Sequence, residues 1–267
     1  NVPLNEDGPD MNMVEALAAD PAVKGIWCVP TYANPSGVTY SDEVVDRLAK
    51  MEAADDFRIF WDNAYCVHHL YETPKQDHVK DISRACEEAG YADRPLKFAS
   101  TSKITFAGGG ISGMAASVSN IAEAEKLIGV QTIGHDKVNQ LRHVRFLRDA
   151  EGIAKHMAKH AAIMRPKFEL VESILAEELS ETPCTWTSPR GVYFITFTGP
   201  AGTAKRIVAL AKEAGVTLTG AGAPFHYGKD PDDAVIRIAP SYPPLNELED
   251  AMRIFCVCAK IACAELQ

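Results

Sequence analysis

Arg58-Ile59-Phe60-Trp61-Asp62 is a short, mostly apolar run that ends on an acid. Its length and its aromatic and β-branched content suit a buried strand. Two similar runs lie on either side. Lys24 to Pro30 (KGIWCVP) is compact, apolar and stopped by proline, and Lys97 to Ser100 reads as a third strand. Between them the periodicity changes. Ser41 to Met51 sets Val44, Val45, Leu48 and Met51 at helical spacing, with Ser41 and Asp42 suited to the N-cap. Val79 to Gly90 reads as a helix closed by glycine, and Gly113 to Ser119 as a fourth strand. Strand, helix, strand, helix implies an α/β fold with a largely parallel sheet covered on both faces.

Ligands of such sheets bind beyond the carboxyl ends of the strands. Asn34, Asp62, Tyr65 and Lys103 all follow expected strands, so one topology gathers them at one rim. Taken singly each has a plain explanation. Lys103 reads as a surface lysine, Asp62 as a helix cap, Tyr65 as a core aromatic, and Asn34-Pro35-Ser36-Gly37 as a turn. Together they are what an enzyme needs to hold and use pyridoxal phosphate (PLP). A lysine amine bonds the aldehyde as a Schiff base, and a carboxylate keeps the pyridine nitrogen protonated. A phenol and an amide hydrogen-bond the ring hydroxyl. Ser100, Thr101 and Ser102 offer hydroxyls and amides for a phosphate, and Gly108-Gly109-Gly110 lets backbone come close. Desolvation would lower the pKa of Lys103 and favour its neutral amine.

From Asn120 to about Glu178 the pattern is long and helical. Leu141 to Arg148 alternates basic and apolar residues, as in an amphipathic packing helix. After Pro183 the character changes. Thr185 to Thr187, Val192 to Phe197, Val216 to Leu218 and Val235 to Ala239 read as short strands around helices Gly202–Ala214 and Leu245–Glu265. The expected division is 1–150 for part of a large PLP-binding domain and 151–267 for an inter-domain helix and a smaller C-terminal α/β domain. Arg237 stands in an otherwise apolar strand, suited either to a salt bridge or to a forked grip on a substrate carboxylate. Arg190 reads as a turn residue.

The chain has 267 residues, is 46% hydrophobic and 24% charged, and so is expected to form a packed core. A formal charge of −9 argues against nucleic acid or an anionic membrane as the main partner. Seven cysteines without framework spacing read as reduced thiols of a cytoplasmic protein. His68-His69 beside Cys66 is the nearest approach to a metal-ligand set, and reads as ordinary loop or strand; no metal is expected. Nothing reaches membrane-spanning length. Asn1-Val2-Pro3-Leu4 reads as the tail of a strand already under way, so the chain is expected to be a piece of a longer protein.

The ordered series resembles a fold-type I PLP-dependent aminotransferase, in the aspartate aminotransferase-like branch grouped with MocR-type aminotransferase domains. Its matching pieces are Asn34-Pro35-Ser36-Gly37, Asp62-Asn63-Ala64-Tyr65, Ser100-Thr101-Ser102-Lys103, Ser188-Pro189-Arg190-Gly191-Val192-Tyr193-Phe194 and Arg237. The resemblance implies that Lys103 forms the Schiff base and shuttles the proton, and that Asp62 pairs with the pyridine nitrogen. It implies Tyr65 and Asn34 at the ring hydroxyl, Ser100 and Ser102 at the phosphate, and Asn34 and Arg237 at the substrate, Arg237 on its α-carboxylate. The implied reaction moves an amino group between an amino acid, aspartate as first guess, and a 2-oxo acid such as 2-oxoglutarate, in a homodimer. Alternatives on the same scaffold are an amino-acid decarboxylase or lyase, or the aminotransferase-like domain of a transcriptional regulator. Many relatives place an arginine shortly after the lysine. Here no Arg or Lys occurs between Lys103 and Lys126, so hydroxyls and amides are left to hold phosphate.

Overall fold

The computed structural model describes residues 1–191 and 193–266. They fall into two compact units. The first comprises Asn1–Tyr32, Val38–Val67 and Asp77–Met157; the second comprises Ala33–Gly37, His68–Gln76 and Ala158 onward.

The first unit opens with a two-residue hairpin, β1 (Leu4–Asn5) against β2 (Gly8–Pro9), so the strand expected at Asn1–Leu4 shrinks to its last residue and the next. Then come α1 (Met11–Ala18), β3 (Gly25–Cys28), α2 (Asp42–Lys50), β4 (Arg58–Asp62), α3 (Ile82–Glu88), β5 (Pro95–Ser100), β6 (Ser112–Ala115), α4 (Val118–Gln131), α5 (Lys137–Leu147) and the start of α6 (Ala150–Leu179). Ser41 caps α2 through its hydroxyl, as expected. The helix expected from Val79 begins only at Ile82, because Asp81 accepts the Ser83 N–H and fixes the N-terminus there. Sheet order is β3-β4-β5-β6; the first three strands are parallel and β6 is antiparallel. The connection from 101 to 111 holds no crossover helix, and without one β6 can only return antiparallel beside β5.

Alternation along the strands sorts the two faces. Cys28, Ile59 and Trp61 point into a core shared with Val45, Leu48 and Ile82. Burial pushes the Cys28 thiol up to about 12, against the opposing hydrogen bond from Tyr40. On the other face Trp27, Phe60 and Phe98 stack in a row, with neighbouring centroids 5.6 and 6.3 Å apart. Trp27 is 65% exposed there, so the expectation of a sheet covered on both faces does not extend to this position.

The second unit contains most of α6, then β7 (Thr185–Trp186), β8 (Ile195–Thr198), α7 (Ala204–Glu213), β9 (Val235–Ile238) and α8 (Leu245–Ala264). Its three strands form an antiparallel sheet in the order β7-β8-β9. Phe168, Leu175, Ile195, Phe197, Ile236 and Phe255 fill the core, with Phe197 and Phe255 edge to face at 4.9 Å. Each such side chain contributes about 1.5–3 kcal/mol by leaving water. Val192, where a strand was expected to start, lies outside the described residues. The strand expected at Val216–Leu218 does not form. Gly215 turns the chain with φ +88° and Val216 N–H closes back on Ala211 O at 2.8 Å, so the end of α7 uses the group a ladder would need.

All seven cysteines are free thiols. Among the described residues no helix is long and apolar enough to cross a membrane.

Candidate active site

In the first unit, β4 ends on Asp62, which shares its face with Phe60 and stands opposite Phe98 of β5. Asp62 Oδ1 accepts the Ala64 N–H at 3.0 Å, which turns the chain toward Tyr65. No helix follows Asp62, so the capping role open to this acid is not taken; the bond closes a turn and uses one oxygen. Tyr65 is only 6% exposed, and Lys103 Nζ lies 5.0 Å from the centre of its ring. A single turn after β5, built by Ile104 N–H and Thr105 N–H on Thr101 O, projects Lys103. Lys103 itself is exposed. The desolvation expected for it is thus not supplied by this chain, because the apolar anchor of that turn is Ile104, packed on Leu147 and Met157, and not the lysine stem.

A cavity of about 630 Å³ opens beside the strand ends, lined by Asp62, Ser100, Ser112, His135, Asn139 and Trp27 among others. It includes Asp62 and Ser100 and leaves out Tyr65, Ser102 and Lys103. Gly110 also lines it. A Cβ there would stand 2.7 Å from Ser102 Oγ and 2.9 Å from Ser102 N, so only glycine lets the two segments meet. The loop thus offers hydroxyls and backbone N–H groups, donors of the kind a phosphate takes, beside a cavity that holds the acid but not the lysine or the phenol.

The second unit holds the other expected residues. Gly37 N–H bonds Ala33 O at 2.7 Å, closing the Asn34-Pro35-Ser36-Gly37 turn. Gly37 has φ +76°, and a Cβ on it would stand 2.5 Å from Pro189 Cβ. The turn is therefore wedged against the Ser188–Gly191 segment. Arg237, on β9, donates from Nη1 to Asn34 Oδ1 at 3.3 Å and lies over Phe194, 4.4 Å from the ring centre. Its Nε is buried without a hydrogen-bond partner, and no carboxylate pairs with it among the described residues. The salt bridge considered for this arginine is not found among the described residues. A buried, unpaired guanidinium N–H is costly, and a bidentate anion is its natural partner. Arg190 is exposed at a bend, with its carbonyl taken by Leu70 N–H.

The structure thus gathers Asp62 with Ser100 around one cavity and Tyr65 with Lys103 in one unit, and Asn34 with Arg237 in the other. Sequence reasoning gave His143 no role, although it sits 2.8 Å from Thr101 Oγ1. Its helix was expected to bury an apolar stripe. It buries His143 and Leu147 instead and leaves Leu141, Val144 and Phe146 exposed. The available signal was the spacing of Asn139, His143 and Leu147, which puts all three on one helical face.

A sequence profile described as aspartate amino-transferase matches residues 1–267. An aspartate aminotransferase of Corynebacterium glutamicum is 48% identical over 267 residues, covering 99% of this chain and 61% of the relative. A protein of Mycolicibacterium smegmatis is 51% identical over the same length, with 62% of the relative covered. The chain thus spans about three-fifths of these curated relatives. A crystal structure of an aspartate transaminase from Corynebacterium glutamicum superposes with a TM-score of 0.96 at 48% identity, covering 99% of this chain and 62% of that one.

Proposed function

Because the chain belongs to the aspartate amino-transferase family and has the fold-type I α/β architecture, we propose that it is the greater part of a PLP-dependent aminotransferase. The reaction is transfer of an amino group between aspartate and a 2-oxo acid such as 2-oxoglutarate. Arg237 carries this reading: a buried Nε–H without a protein partner, on an otherwise apolar strand, beside an amide at Asn34. That arrangement suits the α-carboxylate of an amino acid.

PLP, when bound, supplies an electron-withdrawing ring that acidifies the Cα–H of an attached amino acid. Lys103 would supply the amine for its aldehyde and would carry the Cα proton as general base and acid. Asp62 keeps one carboxylate oxygen beyond its contact to Ala64, enough to hold a pyridine N–H. By the family resemblance Tyr65 and Asn34 would donate to the ring hydroxyl, and Ser100 and Ser102 would hold the phosphate. Residues 1–150 serve as part of the large cofactor-binding domain, with 151–267 as the inter-domain helix and small domain.

We further place the protein in the cytoplasm as a homodimer. Seven free thiols support the first. The second is supported by α4, which buries none of its side chains and leaves Val118 88% and Val130 90% exposed. The deciding experiment is a visible spectrum of the full-length protein with PLP, titrated with a panel of amino acids. Aspartate is expected to bleach the bound-cofactor band and yield its 2-oxo acid. A band that no amino acid bleaches, or decarboxylation in place of the oxo acid, defeats the assignment.

A further inference from the structure

Thr101 lies between the two serines assigned to phosphate, yet its own hydroxyl is committed elsewhere. It accepts the Ile111 N–H at 2.9 Å and sits 2.8 Å from His143 Nε2. His143 is 7% exposed, with Nδ1 2.9 Å from the Asn139 carbonyl. A carbonyl only accepts, so Nδ1 carries a proton, and in the neutral ring Nε2 is then the acceptor. Thr101 O–H therefore donates to His143 while its oxygen takes the Ile111 N–H.

Two more bonds complete the arrangement. Thr101 N–H donates to Ile111 O at 2.9 Å, closing the neck of the loop. Asn139, one turn before His143 on α5, donates from Nδ2 to Gly109 O at 3.0 Å and Gly110 O at 3.4 Å. One face of α5 thus grips both ends of the segment that carries Ser102 and Lys103. Gly110 and Ser102 are packed with no spare room, so a shift at the neck is passed to Ser102 directly.

We propose that His143 is a positioning residue for the lysine loop. Its ring, with Nδ1 bonded to the Asn139 carbonyl, fixes the direction of the Thr101 hydroxyl, and through it the spacing of Ser100, Ser102 and Lys103. The consequence for cofactor binding rests on the function proposed above; the tie between loop and helix does not. Without His143 the Thr101 hydroxyl has Ile111 O at 3.3 Å as its remaining acceptor. The neck then stays closed, but its tie to the helix is gone.

Full-length His143→Leu, His143→Gln, Thr101→Val and the Thr101→Val/His143→Leu double variant test this. Leucine fills the buried volume without an acceptor, and glutamine restores one. In cofactor-free protein, amide deuterium exchange across 101–111 is expected to rise about tenfold in His143→Leu and Thr101→Val. It should stay near wild type in His143→Gln. The Kd for PLP, read by fluorescence quenching, should rise about tenfold in the same pattern, with the double variant no worse than either single one. Unchanged exchange in His143→Leu overturns the proposal. So does faster exchange spread over the whole unit with Gln no better than Leu, because His143 is then only core. A wild-type protein that takes up no PLP defeats the proposed function instead, and the exchange data still judge the clamp.

Discussion

Two arginines, the buried Arg94 in the first unit and the half-buried Arg237 in the second, are treated in opposite ways. Arg94 of the first unit donates to Ala49 O and Met51 O at the end of α2 and stacks 3.8 Å from the Tyr91 ring centre. It is a structural plug whose bonds are met by the chain. Arg237 of the second unit is offered one amide and one ring, and its Nε–H is left over. The loop that bears Lys103 resembles Arg94 in this respect, since Thr101, Asn139 and His143 bond one another and the backbone while the amine stays exposed. The first unit therefore presents a braced loop with an exposed amine, and the second a guanidinium with one buried N–H unmet. On the function proposed above, chemistry falls to the one and recognition to the other.

The strongest way to break that division is Lys103→Ala in the full-length protein. Turnover is expected to fall by at least about 10³-fold, because nucleophile and proton carrier are lost together. Thermal stability should change little, since Lys103 is exposed and its ring contact is with Tyr65. Substantial transamination in this variant would overturn the assignment of chemistry to the first unit. Arg237→Lys asks the complementary question. It keeps the charge and loses the fork, so KM for the amino acid should rise about 10- to 100-fold while kcat changes much less. A fall in kcat at unchanged KM would move Arg237 from recognition into chemistry.

The smallest effect sharpens the comparison within the second unit. Ser188 Oγ–H donates to Glu172 Oε2 at 2.6 Å, beside the segment on which the Asn34 turn is wedged. Burial raises the Glu172 carboxyl above its usual 4.5; the Ser188 bond opposes the rise and Glu169 adds to it. Below 4.5 both folded and unfolded chains are protonated there, and the group is neutral to stability. As pH climbs from 4.5 through the raised value the unfolded chain ionises first, so the native state loses stability and the whole penalty is present at pH 7. Glu172→Gln should raise Tm by about 1–2 °C at pH 7 and leave it unchanged near pH 4. An equal gain at both pH values would point to packing instead of charge.

Local signals carried the fold a long way. The five residues of β4 form as read, and Ser41 caps α2 where its side chain can meet the Val44 N–H. Such features depend on near neighbours and leave a mark in spacing. Val216–Leu218 misled for the same reason. It has strand composition, but a helix end claimed its N–H first. Tyr65 and Arg237 could be named from the sequence as candidates, while the fate of each polar group could not.

Composition and periodicity alone determined that this chain alternates strands and helices, and order along the chain determined which acid, phenol, amide and amine follow strand ends. Only the tertiary structure decided that Asn34 sits with Arg237, that β6 runs antiparallel, and that His143 and Leu147, not Leu141, Val144 and Phe146, turn inward on α5. The reason is physical. Backbone periodicity is written within a few residues, whereas hydrogen-bond satisfaction is settled by partners as distant as Asn34 and Arg237, whose meeting no local pattern encodes.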